Sequence, residues 1–236
     1  FMFGTGGGAL IAKTMGEGNP QRANRLFSMI IYTSIFCGIL LAALGIFCIR
    51  PFASALGAQG ALLEDSIRYG RIILAAIPAY ILQYEFQCLF ATAGKAKLGL
   101  YVTIAAGLTN MALDALFVAV LPWGLEGAAA ATAISQCVGG IVPLLYFSRP
   151  NSSLLALGRT EFCGKPLQQV VLNGSSELMS NISMSVVNML YNVQLLAYIG
   201  EDGIAAYGVL MYVNLVFQAI FIGYSVGVAP VISYQY

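Results

Sequence analysis

The residues whose types and spacing best suit them to chemistry lie between Asn173 and Asn192, in the run NGSSELMSNISMSVVNMLYN. Wound as an α-helix, this run brings Asn173, Glu177, Ser180, Asn181, Met184, Asn188, Tyr191 and Asn192 within about a third of the circumference. The opposite face carries Leu178, Met179, Ile182, Val186, Met189, Leu190 and Val193. A carboxyl group on such a stripe can bind a proton or a cation while its surroundings are dry and release it when they are wetted, because desolvation disfavours the charged form. Near the centre of a bilayer an acid costs about 2.5–3.5 kcal/mol on insertion scales, so it faces a cavity or a partner rather than lipid. The stripe is therefore read as lining a transport path. The competing reading is that Glu177 only ties two helices together through a hydrogen bond.

The rest of the chain has to place that helix in a membrane. Of 236 residues, 59% are hydrophobic and 9% charged, with a mean hydropathy of +0.81. A soluble domain carries about 25% charged residues, so the composition specifies a polytopic all-α membrane bundle. Net charge is +1 and there is no histidine. The first fact leaves no basic patch for nucleic acid. The second removes HExxH zinc sites, Ser-His-Asp triads and imidazole proton relays. With no Asp-rich metal motif either, an intramembrane prenyl or acyl transferase is excluded, and the chain reads as neither an enzyme nor a cofactor protein. Cys37, Cys48, Cys88, Cys137 and Cys163 form no CxxC pair and read as packing residues. Gly7 to Thr14 nearly fits GxxxxGK[ST] but fails at Ala12, and no strand precedes it. Gly4, Gly6, Gly7 and Gly8 are instead small residues that let helices approach closely.

Seven spans are expected, at 1–15, 26–56, 66–93, 98–121, 127–147, 167–199 and 204–234, each judged against the roughly 20 apolar residues that cross a bilayer. The first begins inside an apolar run without an initiator Met, so the chain reads as a piece of a longer one. Lys13 and the loops 16–25, 94–97 and 148–165 hold eight basic residues, against Arg50, Arg68 and Arg71 on the alternate side. That bias places the first set of loops in the cytoplasm. Two more acids fall within spans. Asp114 shares a face with Asn110, Gly107 and Thr103, which suits either a sodium or proton site or a structural hydrogen-bond network. Glu85 lies beside Leu82 and Leu89, off the Tyr80, Tyr84, Gln87 face, and is expected to pair helices or sit at the interface. Tyr80, Tyr84, Met184, Tyr191 and Phe217 are candidates for a wall that binds flat cations, with Met184 and Tyr191 favoured by their place on the stripe. Pro78, Pro143 and Pro230 are candidate bends. Phe221 to Ser233 laid on Phe1 to Lys13 shows a faint internal repeat, as expected of a transporter built from two similar halves.

Taken in order, GTGGGALIAKTMGEGNPQRAN at 4–24, FATAGKAK at 90–97, NMALDALFV at 110–118, GLEGAAAATAISQ at 124–136, GSSELMSNISMSVVN at 174–188 and GVAPVISY at 227–234 resemble the multidrug and toxic compound extrusion (MATE) family. The resemblance covers the whole chain. It implies twelve helices in two six-helix lobes around a central cleft, of which this chain supplies about seven, helices two to eight. Residues 1–147 would belong to the first lobe, 148–165 to a cytoplasmic linker, and 166–236 to the start of the second lobe. It further implies a monomeric, multi-pass cell-membrane protein that exports cationic or amphipathic small molecules by antiport with protons or sodium ions, with a functional acid in the seventh helix at Glu177. On this reading Glu177, Asn173, Asn181, Asn188 and Tyr191, with Asp114 and Asn110, form the substrate and ion site, and a sodium ion would bind at Asp114 or Glu177. The first helix, which carries a coupling acid in parts of the family, is not in this sequence. The alternative is a flippase for a lipid-linked saccharide or polyisoprenoid lipid, which needs basic residues in the cleft to meet a diphosphate. The intramembrane charges here are acidic, which argues for cationic cargo.

Overall fold

A computed structural model describes residues 1–55, 60–160 and 162–235, with all side chains in its helices except those at 55, 61, 62, 193, 196, 197, 201, 202, 204 and 205. Among the described residues it is all-helical: α1 (Met2–Gly16), α2 (Pro20–Ala55), α3 (Ala61–Ala75), α4 (Ile77–Thr92), α5 (Ala96–Asp114) with a π-helical continuation (Ala115–Val120), α6 (Gly124–Ser148), α7 (Gly164–Tyr198) and α8 (Glu201–Gln235). Local signals account for the boundaries. Gly18 and Gly200 take positive φ (78° and 82°) at the α1–α2 and α7–α8 turns. Asn19 caps α2, its side-chain oxygen accepting from the Arg22 amide at 3.0 Å, with Pro20 in the first helical position.

The span expected over 66–93 is two helices. They meet at Ala76 with a bend of 48°. Pro78, in the first turn of α4, supplies no amide hydrogen and crowds the turn before it, so the ladder breaks there. By length and apolarity, four helices among the described residues can cross a membrane, or five if the bent pair counts as one span. α1 has only 15 residues. α7 has 35, but its polar stripe dilutes the apolar run. Part of the connection expected at 57–65 lies outside the described residues, and α3 already begins at Ala61.

α1 is the element that positions α7. It packs against α2, α4, α7 and α8. Its glycines make this possible: a Cβ on Gly4 would sit 3.1 Å from the Cys88 sulfur of α4, on Gly7 2.8 Å from Ile30 of α2, and on Gly16 2.3 Å from the Tyr234 carbonyl of α8. The tightest approach is to α7, where a Cβ on Gly6 would lie 2.3 Å from the Val170 carbonyl oxygen, and one on Gly174 2.1 Å from the Met2 carbonyl oxygen. The glycine cluster is thus a helix-packing surface. On the other side of the bundle, the small-residue start of α6 buries Ala129 and Ala131 completely, and Gly140 brings α6 against the Ala79 carbonyl of α4.

An aromatic core lies at the end of the bundle that carries the basic loops. Phe147 sits among Phe27, Phe86 and Phe90, with centroid separations of 5.1, 5.6 and 5.5 Å. The irregular connection from α6 to α7 closes that end. Leu155 is fully buried in the core. The Ala156 amide donates to Asn24 at 3.0 Å, the Gly158 amide to the Ser28 hydroxyl at 2.9 Å, and the Thr160 hydroxyl to the Arg25 carbonyl at 2.9 Å. The connection is therefore strapped along α2.

The glycine packing gives a paired expectation. Gly6→Ala pushes a methyl group into backbone of α7, which cannot move aside as a side chain can, and should cost about 1–3 kcal/mol. Gly107→Ala meets nothing within 4 Å and should gain up to about 1 kcal/mol from helix propensity. Thermal unfolding in detergent micelles should rank Gly6→Ala below the parent and Gly107→Ala at or above it; the opposite order would reject this packing.

Candidate functional site

α7 carries the stripe, and the structure shows how its polar groups are spent. Asn181 donates to the Glu177 carbonyl at 2.8 Å and Asn192 to the Asn188 carbonyl at 2.9 Å. Ser180 and Ser185 likewise donate to carbonyls four residues back, each at 2.9 Å. Such local bonds satisfy a polar side chain on an exposed helix face without a second element. Asn188 has a further partner, accepting from the Tyr207 hydroxyl of α8 at 3.1 Å, while Tyr191 stacks on the Tyr207 ring at 5.5 Å. Asn188 and Tyr191 thereby join α7 to α8. Asn173 and Asn181 are exposed, and Asn173 lines a 440 Å³ cleft shared with Lys13 and Gln169. Glu177 is half-buried, and its carboxyl has no hydrogen-bond or ion-pair partner among the described residues.

Asp114 and Asn110 lie elsewhere. Both are half-buried at the end of α5, which packs on α4 and α6, whereas α7 packs on α1 and α8. The structure thus brings Asn110 near Asp114 on one helix face and holds both apart from the α7 stripe. Gly107 and Thr103, on the same face, are exposed. The π-helical segment starts at the residue after Asp114 and closes with the Leu121 amide on the Leu116 carbonyl at 2.9 Å. Wide turns of this kind gather at functional sites in helices. Among the described residues no three His, Cys, Asp or Glu side chains converge on one point, so a cation at Asp114 or Glu177 would take most of its oxygen ligands from amides, hydroxyls, carbonyls or water.

Of the two roles expected of Glu85, the interfacial one does not hold: the residue lies buried between helices, with Ser34 of α2 beside it. It is 1% exposed, and among the described residues neither carboxyl oxygen makes a well-formed hydrogen bond. The buried hydroxyl oxygen of Ser34 likewise makes none. On the far side the Cα of Glu85 lies 3.2 Å from where a Cβ on Gly4 would be. Gly4 of α1 packs against Cys88 and Glu85, and Met2 meets Gly174, three residues before Glu177, which sets the two acids around the same end of α1. The signal was present in the chain: Leu82, Glu85, Phe86 and Leu89 follow the spacing of a buried seam. A search for polar stripes passes over an acid on an apolar one. Of the expected aromatic wall, Tyr80 and Tyr84 meet edge to face at 4.7 Å, Tyr191 stacks on Tyr207, and Met184 and Phe217 are exposed.

The fold and site define a class: a multi-pass helical membrane protein with acids inside its bundle. The MatE family model matches residues 1–116. The multidrug export protein MepA of Staphylococcus haemolyticus (strain JCSC1435) is 27% identical over 236 residues, covering all of this chain and 52% of its own length. That of Staphylococcus aureus (strain MRSA252) is 24% identical over 239 residues, with the same coverage. The chain spans about half the length of the curated relatives it matches. Among solved structures, a MATE crystal structure in the straight conformation aligns with a TM-score of 0.87 at 19% identity, covering 99% of this chain and 52% of that one. The inward-facing conformation of a multidrug resistance MATE family transporter aligns with a TM-score of 0.80 at 20% identity, covering 99% and 51%. Over its first 116 residues the chain matches the MatE family model, and over its whole length it is similar to MATE transporters in sequence and fold.

Two outcomes follow from this geometry. Tyr207→Phe removes one bond across the α7–α8 contact and should cost about 0.6 kcal/mol, and no more than about 1.7, in a bilayer or micelle. Glu85→Met exchanges a buried carboxyl without a well-formed hydrogen bond for an apolar group of similar volume and should leave stability unchanged or raise it by about 1–3 kcal/mol. Both are read by thermal unfolding, and a large loss for Glu85→Met would reveal a bonded partner for the carboxyl.

Proposed function

We propose that this chain is part of a secondary active transporter that exports cationic or amphipathic small molecules across the cell membrane by antiport with protons or sodium ions. The observation that carries the reading is the charge balance of the bundle. Glu85, Asp114 and Glu177 have no ion-pair partner among the described residues, whereas Arg50 and Arg68, at the end away from the basic loops, are held by Glu64 and Glu126 at 2.7 and 3.3 Å. Uncompensated acids in a medium of low dielectric attract cations and disfavour anions. The names of the MepA relatives support drug export as the activity. On this reading loops 16–25, 94–97 and 148–165 face the cytoplasm, residues 1–147 and 166–236 belong to two lobes, and 148–165 joins them. Glu177 is the coupling residue. Binding of a proton or cation there and binding of substrate would favour different access states, since a ligand shifts an equilibrium only by its differential affinity for the two states.

The test is ethidium efflux by the full-length protein in sealed vesicles, driven by a proton gradient or by a sodium gradient. Coupling free energies of about 1–3 kcal/mol correspond to roughly 5- to 150-fold, and Glu177→Gln should reduce gradient-driven efflux by a factor in that range while the protein remains folded. The gradient that drives efflux names the ion. Unchanged efflux in Glu177→Gln would make the stripe structural, and no efflux under either gradient would favour the lipid-linked saccharide flippase.

A further inference from the structure

We infer that the cleft between the start of α2 and the strap formed by the α6–α7 connection binds an anionic phospholipid. Two cavities meet there. One, of 640 Å³, is lined by Arg22, Arg25 and Arg159; the next, of 420 Å³, is lined by Tyr32, Phe36 and Phe162. Met29 and Thr160 belong to both walls, so the two form one groove with a cationic mouth and an aromatic, apolar channel.

Among the described residues the arginines are not spent on the protein. None of the three is in an ion pair among the described residues, and no described carboxylate lines the mouth. Three guanidinium groups around one cavity repel one another unless an anion lies between them, and their planar forks match a phosphate. The strap holds Arg159 over the cleft, because Gly158 is bonded to Ser28 and Thr160 to the Arg25 carbonyl.

The channel decides between a lipid and a free phosphate. Arg22 and Arg25 occupy the first turns of α2, and the apolar run begins at Leu26. Phe36 is eleven residues beyond Arg25, about 16 Å along the helix at 1.5 Å per residue. That is close to half of the roughly 30 Å hydrocarbon core. The groove therefore has the length of one leaflet, with charge at the headgroup and rings along an acyl chain. Phe36 and Phe162 are 68% and 73% exposed, so most of each ring is left uncovered by the described protein. A phosphate ion would fill the mouth and leave the rings unused. Basic pockets between helices on the cytoplasmic side take anionic headgroups by this chemistry.

The experiment uses delipidated full-length protein in micelles, titrated with dioleoyl phosphatidylglycerol, dioleoyl phosphatidylcholine or inorganic phosphate, with native mass spectrometry counting bound lipid. Each arginine near an anionic headgroup contributes roughly fivefold, so Arg22→Gln, Arg25→Gln and Arg159→Gln together should weaken phosphatidylglycerol on the order of 100-fold. Phosphatidylcholine binding should be weaker than phosphatidylglycerol in the parent and unchanged in the triple variant. Phe36→Ala should weaken phosphatidylglycerol while leaving its preference over phosphatidylcholine intact. Should the triple variant misfold, Arg159→Gln on the strap alone carries the same comparison. Equal binding of the two lipids, a triple variant that still prefers phosphatidylglycerol, or displacement of the lipid by millimolar phosphate would overturn the proposal.

Discussion

The arrangement depends on one steric constraint, the absence of a side chain at the glycines of α1. Lipid offers helices little hydrophobic reason to associate, so a membrane bundle is held by close packing and by the bonds that packing permits. α1 meets four neighbours at once, and its approaches to α7 and α8 are so close that any Cβ at Gly6 or Gly16 would overlap backbone. Position follows from this contact. α7 lies where it does because Gly6 and Gly174 let it, and Glu177, three residues beyond Gly174, is set beside the same end of α1 as Glu85.

At the other end, where the basic loops gather, a different device operates. Phe147 and its aromatic neighbours form a packed plug, and the α6–α7 connection is drawn into it by Leu155 and stitched to α2 through Asn24, Ser28 and Arg25. The connection is thereby fixed along α2 as far as Thr160.

Most of the fold was legible in the sequence because membrane spans are written in the coarsest variable, apolar length. The loops, the polar face of α7 and the packing role of the glycines could all be read from residue types and period alone. The break between α3 and α4 was legible only as a proline, since Pro78 is equally compatible with a static kink and with two helices. The candidate site was less legible. Asn188 and Tyr191 sit on the expected stripe, yet what they touch is Tyr207, which no spacing on α7 could announce. The burial of Glu85 was not legible for a related reason: a helix has one period, and whether an acid on the apolar side meets lipid, a headgroup or the inside of the bundle depends on which neighbours pack there.

Glu85 also shows how the fold separates stability from chemistry. Among the described residues its carboxyl oxygens make no well-formed hydrogen bond; the helix is held by Leu82, Phe86 and Leu89, which are buried around it, and by the approach of Gly4 from α1. A buried polar group left without partners costs on the order of 1–3 kcal/mol, more if charged. A bundle can carry that cost only where apolar packing on both sides is already sufficient. The glycine contacts and the aromatic plug provide such packing, so the acids inside the bundle are positioned by groups other than themselves. A carboxyl placed in this way keeps its oxygens uncommitted, which is the condition for exchanging a proton or a cation without loosening the helices that hold it.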